Sequence, residues 1–565
     1  MSYHYEISAN PEEAKPAMSY PLSRRRFLQG SAACAVATVV PGEGRGAPSL
    51  SPGKLVLNDD GHVFLHFSDD LHKADLRRYL ESYCRPGLDT VAYCVGDMSW
   101  PTFYPSRVGV HYGALGAGGD FGRSRAHKNV ANFASELGGY FGAVFAILRE
   151  LGKQVLASFR MNDAHFTSID HPNASPFWKQ HAKLALGSAY GYYGGCLNYA
   201  SEVVRQHFFD RVVEFADLYP QIDGIELDAM RSPFFFPPGK GKENAPLFTE
   251  LVRRIKAALA ERSKRLNRPD YLLSINVPLT PELALECGLD VAAWDAERLF
   301  DHVSVGTYQA YMNHPMERWK KLLAHGTPVF AYIGCSPQSG RYLGLEEYRA
   351  AAANAYGSGA DGIYLFNYPC LFELAAQVPV ASHEVKMTLA DMRACGHPDF
   401  TKVGQALEEI GRPESLRGKD KRFLFYFSND ASYRHYDPDL AGMDRRSGDR
   451  QLKAAFRCYE DYDRARAITL RFKIENVART EEFELRLNGH GLQPTPDQVR
   501  YAANGRDTRI HTVKLGPYLE YEIALGPDRL RKGENVLQVT PKSLIADLAT
   551  KVNLVEIELH VRYAG

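Results

Sequence analysis

Two acidic side chains one residue apart, Glu226 and Asp228 in Asp223-Gly-Ile-Glu-Leu-Asp-Ala-Met-Arg231, are the first candidates for chemistry. Ile225 and Leu227 alternate with them, so a strand that buries its apolar pair on one face sends both carboxylates to the other. Like charges this close raise one pKa, which suits a proton donor beside an ionised base or nucleophile. A second group stands in Arg160-Met-Asn-Asp-Ala-His165, where Arg160 and Asn162 share a face and Asp163 and His165 follow. Arg160 is expected either to neutralise Glu226 from a neighbouring strand or to bind a substrate hydroxyl or carboxylate. Asp163 and His165 are expected where acid or base work is done. The catalytic set is therefore Asp228 as nucleophile or base, with Asp163 or Glu226 as its acid partner. Arg160, Asn162, His165, Arg231, Asp97, Asn276, Tyr308 and Asn367 are expected to orient a hydroxyl-rich substrate, and Asp69 and Asp70 add further acids. Trp100, Trp178, Tyr104 and Phe234 to Phe236 offer flat apolar faces for such a ligand.

These residues need a scaffold that brings strand ends together. Eight β-type runs alternate with amphipathic helical stretches: Val63–Asp69, Thr90–Val95, Gln154–Asn162, Ile222–Asp228, Tyr271–Val277, His302–Tyr308, Pro328–Ile333 and Asp361–Asn367. Eight strand–helix units predict an α/β fold, a (β/α)8 barrel, with its site on the face where strands end. Asp223-Gly-Ile-Glu-Leu227 recurs as Asp361-Gly-Ile-Tyr-Leu365, half a barrel apart. Two strand-to-helix connections, 96 to 129 and 163 to 198, are long enough to be functional. The barrel is expected over 54–410, followed by a linker at 411–422. From 423 to 565 the rhythm is all-β, as in Ala467–Ile474, Glu482–Leu487, Tyr518–Ile523, Val536–Val539 and Leu554–Val561, with turns at Asn488-Gly489 and Lys532-Gly533. That predicts a jelly-roll-like β-sandwich.

Asn198-Tyr-Ala-Ser-Glu-Val-Val-Arg205, Asp223 to Arg231, Gly288-Leu-Asp-Val-Ala-Ala-Trp294, Leu299-Phe-Asp301, Arg160 to Asp163 and Asp361 to Asn367 together resemble glycoside-hydrolase-like barrel proteins, often described as family-10-like glycosyl hydrolases. The resemblance covers roughly residues 55 to 380. It implies a TIM barrel, carbohydrate as substrate and the strand-four acid at Asp228. One departure stands out: the retaining clan to which family 10 belongs carries a nucleophilic glutamate at the end of strand seven, and Pro328-Val-Phe-Ala-Tyr-Ile-Gly-Cys-Ser-Pro337 has no acid. A second carboxylate would then come from Glu226, Asp163, Asp97 or the Asp69-Asp70 pair. The leading expectation is a glycoside hydrolase. A polysaccharide lyase, with His165 or a tyrosine abstracting a proton and Arg160 facing a uronate, and a glycan-binding barrel without catalysis are the rivals.

Composition bounds the partners. The 565 residues are 45% hydrophobic and 24% charged, with 67 basic side chains against 67 acidic ones, a balance that disfavours nucleic acid and anionic membranes. No apolar run approaches the ~20 residues of a spanning helix. Ser23-Arg24-Arg25-Arg26-Phe27-Leu28 ahead of a mild apolar stretch through Val40 resembles a twin-arginine export signal, with a leader over residues 1–47 and a periplasmic or extracellular destination. Eight cysteines remain beyond the leader, none in a CxxC pair. No HExxH, P-loop or ordered dinucleotide motif is present, and neither a cofactor nor a metal is expected.

Overall fold

A computed structural model of the chain describes residues 53–61, 63–66, 71–112, 126–307, 311–334, 343–366, 368, 403–426, 442–446, 450–506, 514–548 and 550–563. The leader therefore lies outside the described residues. Eight parallel strands close into a barrel in chain order: β1 (Leu55–Asp59), β2 (Thr90–Asp97), β3 (Gln154–Arg160), β4 (Gly224–Asp228), β5 (Leu272–Pro278), β6 (His302–Gly306), β7 (Val329–Gly334) and β8 (Gly362–Phe366), with β8 pairing β1. Seven coincide with the expected runs. The first does not: Val63–His66 is a short helix, and β1 is the earlier Leu-Val-Leu-Asn-Asp run, all five residues buried. Short apolar runs do not distinguish strand from helix by periodicity, and here the earlier one completes the sheet.

Each wall residue serves one of two cores. Ile225, Leu227, Val155, Phe159, Leu273 and Ile275 face outward and pack under the helices, including Gly139–Glu150, Glu202–Leu218 and Gly241–Arg265. Val56, Ala92, Leu156, Leu272, Phe330, Tyr332, Tyr364 and Phe366 face inward with Met230 and fill the bore.

A repeated device fastens the end of the barrel where strands begin. The aspartate immediately before each even-numbered strand accepts a main-chain N–H from the first or second residue of the preceding odd strand: Asp89 from Leu55 at 3.0 Å, Asp223 from Val155 at 2.8 Å, Asp301 from Leu273 at 2.7 Å and Asp361 from Val329 at 2.8 Å. The echo between strands four and eight is thus part of a fourfold pattern.

The C-terminal region is antiparallel β. Leu452–Cys458, Gly533–Ser543, Glu482–Leu487 and His490–Leu492 form one four-stranded sheet; a six-stranded sheet is centred on Val552–Arg562 and Ala467–Glu475. Asn488 and Gly489, both at positive φ (53° and 84°), make the two-residue hairpin expected between Leu487 and His490. The first strand of the six-stranded sheet, Lys421–Tyr426, begins inside the stretch read from sequence as linker. This region docks on the barrel helix Leu345–Gly357. Asn354 donates to Arg457 O at 2.5 Å and accepts from Tyr459 N at 2.9 Å, and Asn313 accepts from Arg457 N at 3.1 Å. Arg562 pairs with Glu346 at 2.7 Å, and Arg422 with Glu347. Gly357 lies so close to Tyr459 that a Cβ added there would stand 2.1 Å from the tyrosine Cβ. No helix among the described residues is long and apolar enough to cross a membrane.

Candidate active site

The outward packing of Ile225 and Leu227 turns Glu226 and Asp228 into the bore. Register sets Asp228 level with Arg160 and Asn276, and Glu226 level with Ser158 and Ser274. Two residues of strand rise about 6.6 Å, so the carboxylates occupy successive layers, Asp228 at the mouth and Glu226 beneath it. Glu226 is fully buried, and the Tyr364 hydroxyl from β8 donates to its Oε1 at 2.8 Å while accepting from Asn276 Nδ2 at 2.9 Å. Burial, reinforced by Asp228, pushes Glu226 up to about 8, so it keeps its proton at neutral pH. The hydroxyls of Ser274 and Ser304, buried nearby, have no hydrogen-bond partner among the described residues. A bore with spare polar atoms suits water or ligand hydroxyls.

Asp228 is 2% exposed and its Oδ1 accepts the main-chain N–H of Met230 (3.1 Å) and Arg231 (3.0 Å), fixing the turn out of β4. Burial raises its pKa, while Arg160 and Arg231 oppose that rise.

The expected Arg160–Glu226 pair does not form. Arg160 stands one layer higher and reaches Asp60 at 2.7 Å and Asp163 at 3.3 Å, with its guanidinium 5.3 Å from the centre of the Trp100 ring. Asp60 was not anticipated from the sequence because the misplaced first strand hid it. The turn that presents it is set by Asp59, whose carboxylate accepts from Gly61 N and from the Tyr79 and Tyr83 hydroxyls. Arg231 approaches Asp60 at 3.7 Å and lies over the Phe366 ring. Asp60 thus joins both guanidiniums of the mouth.

The loop after β3 carries the remaining candidates. Asn162 is committed to main chain: its Nδ2 donates to Leu197 O and Phe234 O, each at 2.8 Å, and its Oδ1 accepts from Leu197 N at 2.9 Å. It ties the loops after β3 and β4 together. Asp163 is buried between Arg160 and His165; despite burial, His165 and then the two arginines hold its carboxyl well below the usual range. It is ionised and suited to accept rather than donate. Asp97, at the end of β2, accepts from Ser99 N (2.5 Å), Ser99 Oγ (2.7 Å) and Trp100 N (3.1 Å). Burial and then the neighbouring Asp163 push Asp97 up to about 7. Tyr308, Asn367, Asp69 and Asp70 lie outside the described residues.

Most of the aromatic candidates are core. Tyr104 packs edge-on to Phe215 and Phe141, Phe235 to Tyr199 and Phe248, and Trp178 is buried with its Nε1 donating to Gly195 O at 2.8 Å. At the mouth stand Trp100, Phe166 and Tyr192, the last 63% exposed. Tyr192 comes from a Gly-rich turn, Ser188–Gly195, whose three tyrosines set among glycines are the signal the sequence offers. Among the described residues no group of three or more His, Cys, Asp or Glu side chains is placed to hold a metal ion.

Comparison with known proteins places this geometry in context. The model described as Glycosyl hydrolases family 18 matches residues 187–356, under a third of the chain, and the matched segment contains β4 to β7. The matching description is family 18, not the family-10-like label. No curated protein matches. Similar solved structures include a chitinase from Trichuris suis (11% identity, 56% of this chain and 92% of that one, TM-score 0.34). A family 18 chitinase from Cycas revoluta with allosamidin (12%, 56% and 95%, TM-score 0.31) and the PgaB glycoside hydrolase domain from Bordetella bronchiseptica (12%, 63% and 98%, TM-score 0.36) are others. The chain carries a glycoside-hydrolase-like barrel, and the family 18 match supports hydrolysis of O-glycosyl bonds as its activity.

Proposed function

We propose that the protein is an exported glycoside hydrolase in which Asp228 is the carboxylate that acts on the anomeric centre. The observation that carries this reading is the position of Asp228, at the C-terminal end of β4, inside the matched segment and between Arg160 and Asn276. Site residues at strand ends are the rule in such barrels. Arg160 and Arg231 keep electrostatic pressure toward the ionised form, so Asp228 serves as base or nucleophile while positive charge develops on the sugar. Glu226 lies one layer below and acts through Asp228: a protonated neighbour spares Asp228 a second negative charge in the bore.

Several features favour a neutral substrate over a uronate. Arg160, the residue a lyase would use against a carboxylate, already faces Asp60 and Asp163. Asp60 likewise faces Arg231. The Ser-Arg-Arg-x-Phe-Leu leader supports export by the twin-arginine route. The test is incubation of the purified mature protein with a panel of neutral, N-acetylated and uronate-containing glycans. New reducing ends without an unsaturated product support hydrolysis; an unsaturated uronide would establish the lyase instead, and binding without turnover across the panel would leave a glycan-binding barrel.

A further inference from the structure

We infer that His165, held by Asp163, is the group that exchanges a proton with the glycosidic oxygen, through its Nε2. This rests on the hydrolase reading and supplies the proton donor that reading lacks. Asp163 is almost completely enclosed, and its Oδ1 accepts both the main-chain N–H of His165, at 3.0 Å, and the ring Nδ1. An imidazole that commits Nδ1 to a buried carboxylate has its tautomer and orientation fixed and turns Nε2 away from that carboxylate. The His165 side chain is 40% exposed, which leaves room for a ligand beside the ring.

The ring is also walled in. Trp100 and Tyr192 meet it edge to face at 6.2 and 6.0 Å between centres, and the Ser99 hydroxyl shares its one proton between Asp97 Oδ1, at 2.7 Å, and His165 O, at 3.1 Å. The next residue, Phe166, has φ of 60°, the left-handed region a bulky aromatic avoids, and its ring stacks on His171 at 4.6 Å. Local strain of this kind persists where surrounding contacts over-determine it, commonly at functional sites.

The other acids are less suited to the task. Asp163 is ionised and engaged at both oxygens, by His165 and by Arg160. Glu226 lies in the lower layer against Tyr364, and Asp97 is 1% exposed behind Ser99 and Trp100.

In the step proposed, the bond from the anomeric carbon to the leaving oxygen breaks and its electron pair stays on that oxygen. The oxygen takes the proton from Nε2 of the imidazolium, leaving neutral imidazole with Nδ1–H still donated to Asp163. Water adds to the anomeric carbon as Asp228 removes one of its protons. That proton returns through solvent to Nε2, so the sum is hydrolysis.

Two measurements test this. In nitrogen-15 NMR of the full mature protein, a downfield Nδ1–H resonance is expected that disappears in His165→Gln and in Asp163→Asn; a His165 ring carrying its proton on Nε2 with Nδ1 bare would overturn the assignment. Kinetics use glucose, galactose and N-acetylglucosamine, each as the disaccharide and as the dinitrophenyl glycoside. Dinitrophenolate leaves without a proton, so His165→Gln should lose about a hundred- to ten-thousand-fold on the disaccharide the wild type cleaves and little on the matching aryl glycoside. Equal losses on both, or none on either, would refute the role while leaving the hydrolase reading intact. Wild-type protein that hydrolyses no glycan or glycoside would overturn both.

Discussion

Glu226 and Tyr364 occupy the same position in two copies of one five-residue pattern, Asp-Gly-Ile-X-Leu, and hydrogen-bond to each other at 2.8 Å across the bore. The pair joins opposite walls of the barrel and closes it beneath Asp228. It also sets a pH dependence. The folded protein keeps a proton on Glu226 up to about pH 8, whereas the ordinary value is 4.5. Between those limits unfolding releases that proton, so this contribution to stability is complete below pH 4.5 and is lost as pH rises through about 8. Relative to Glu226→Gln, wild type should therefore lose unfolding temperature as pH rises from 5 to 8, a difference read from thermal unfolding of the two proteins side by side. Asp97 and Asp59, pushed up to about 7 and about 6, add to the fall, while the half-buried His207 and the buried His302 and His314, pushed down to about 3, 4 and 4, oppose it below about pH 6.5. A slope unchanged in Glu226→Gln would contradict the assignment.

Asp228→Asn keeps an oxygen that can accept from the Met230 and Arg231 main chain, so the turn after β4 should survive. Stability is expected within about 1 kcal/mol of wild type, with turnover down by about a hundred- to ten-thousand-fold. Chemical denaturation measured alongside the glycan assay separates the two effects; wild-type turnover would remove Asp228 from the mechanism.

Asn162→Ala breaks three hydrogen bonds to Leu197 and Phe234 and strands buried main-chain groups. A cost of about 2–4 kcal/mol is expected. Limited proteolysis should reveal it first between residues 163 and 198, the loop this amide secures.

Gly357→Ala places a methyl group against Tyr459, which belongs to the β region. The two surfaces must separate, at a cost of about 1–3 kcal/mol. If the docking is as tight as Asn354 indicates, one shared unfolding transition should move to lower temperature; an unchanged melting curve would argue against the contact.

The barrel was legible because seven strands are bounded apolar runs at regular spacing, and the inward placement of Glu226, Asp228 and Arg160 followed from alternation alone. What alternation cannot supply is height. Arg160 and Glu226 share adjacent strands and the same face, but the register between strands lifts Arg160 to the level of Asp228, and its partners became Asp60 and Asp163. Tyr364 meets Glu226 only because the sheet closes, a relation 138 positions apart in the chain. Asn162 looked like a ligand for substrate because loop main chain competing for the same amide leaves no mark in sequence. The strand Leu452–Cys458 is faint in the sequence, although its buried and exposed residues alternate along its length. Ala454 supplies one of the buried positions, and so small a side chain gives a weak apolar signal.

The four aspartates at the strand-beginning end have a further consequence. They couple β1 to β2, β3 to β4, β5 to β6 and β7 to β8, so the ring is bolted in quarters at the end remote from Asp228 and His165. Closure of the barrel draws nothing from the mouth loops in this respect. Those loops can be lengthened, strained at Phe166 or crowded with partly compensated charge while the frame beneath them stays shut. Load and chemistry are assigned to opposite ends of the same eight strands.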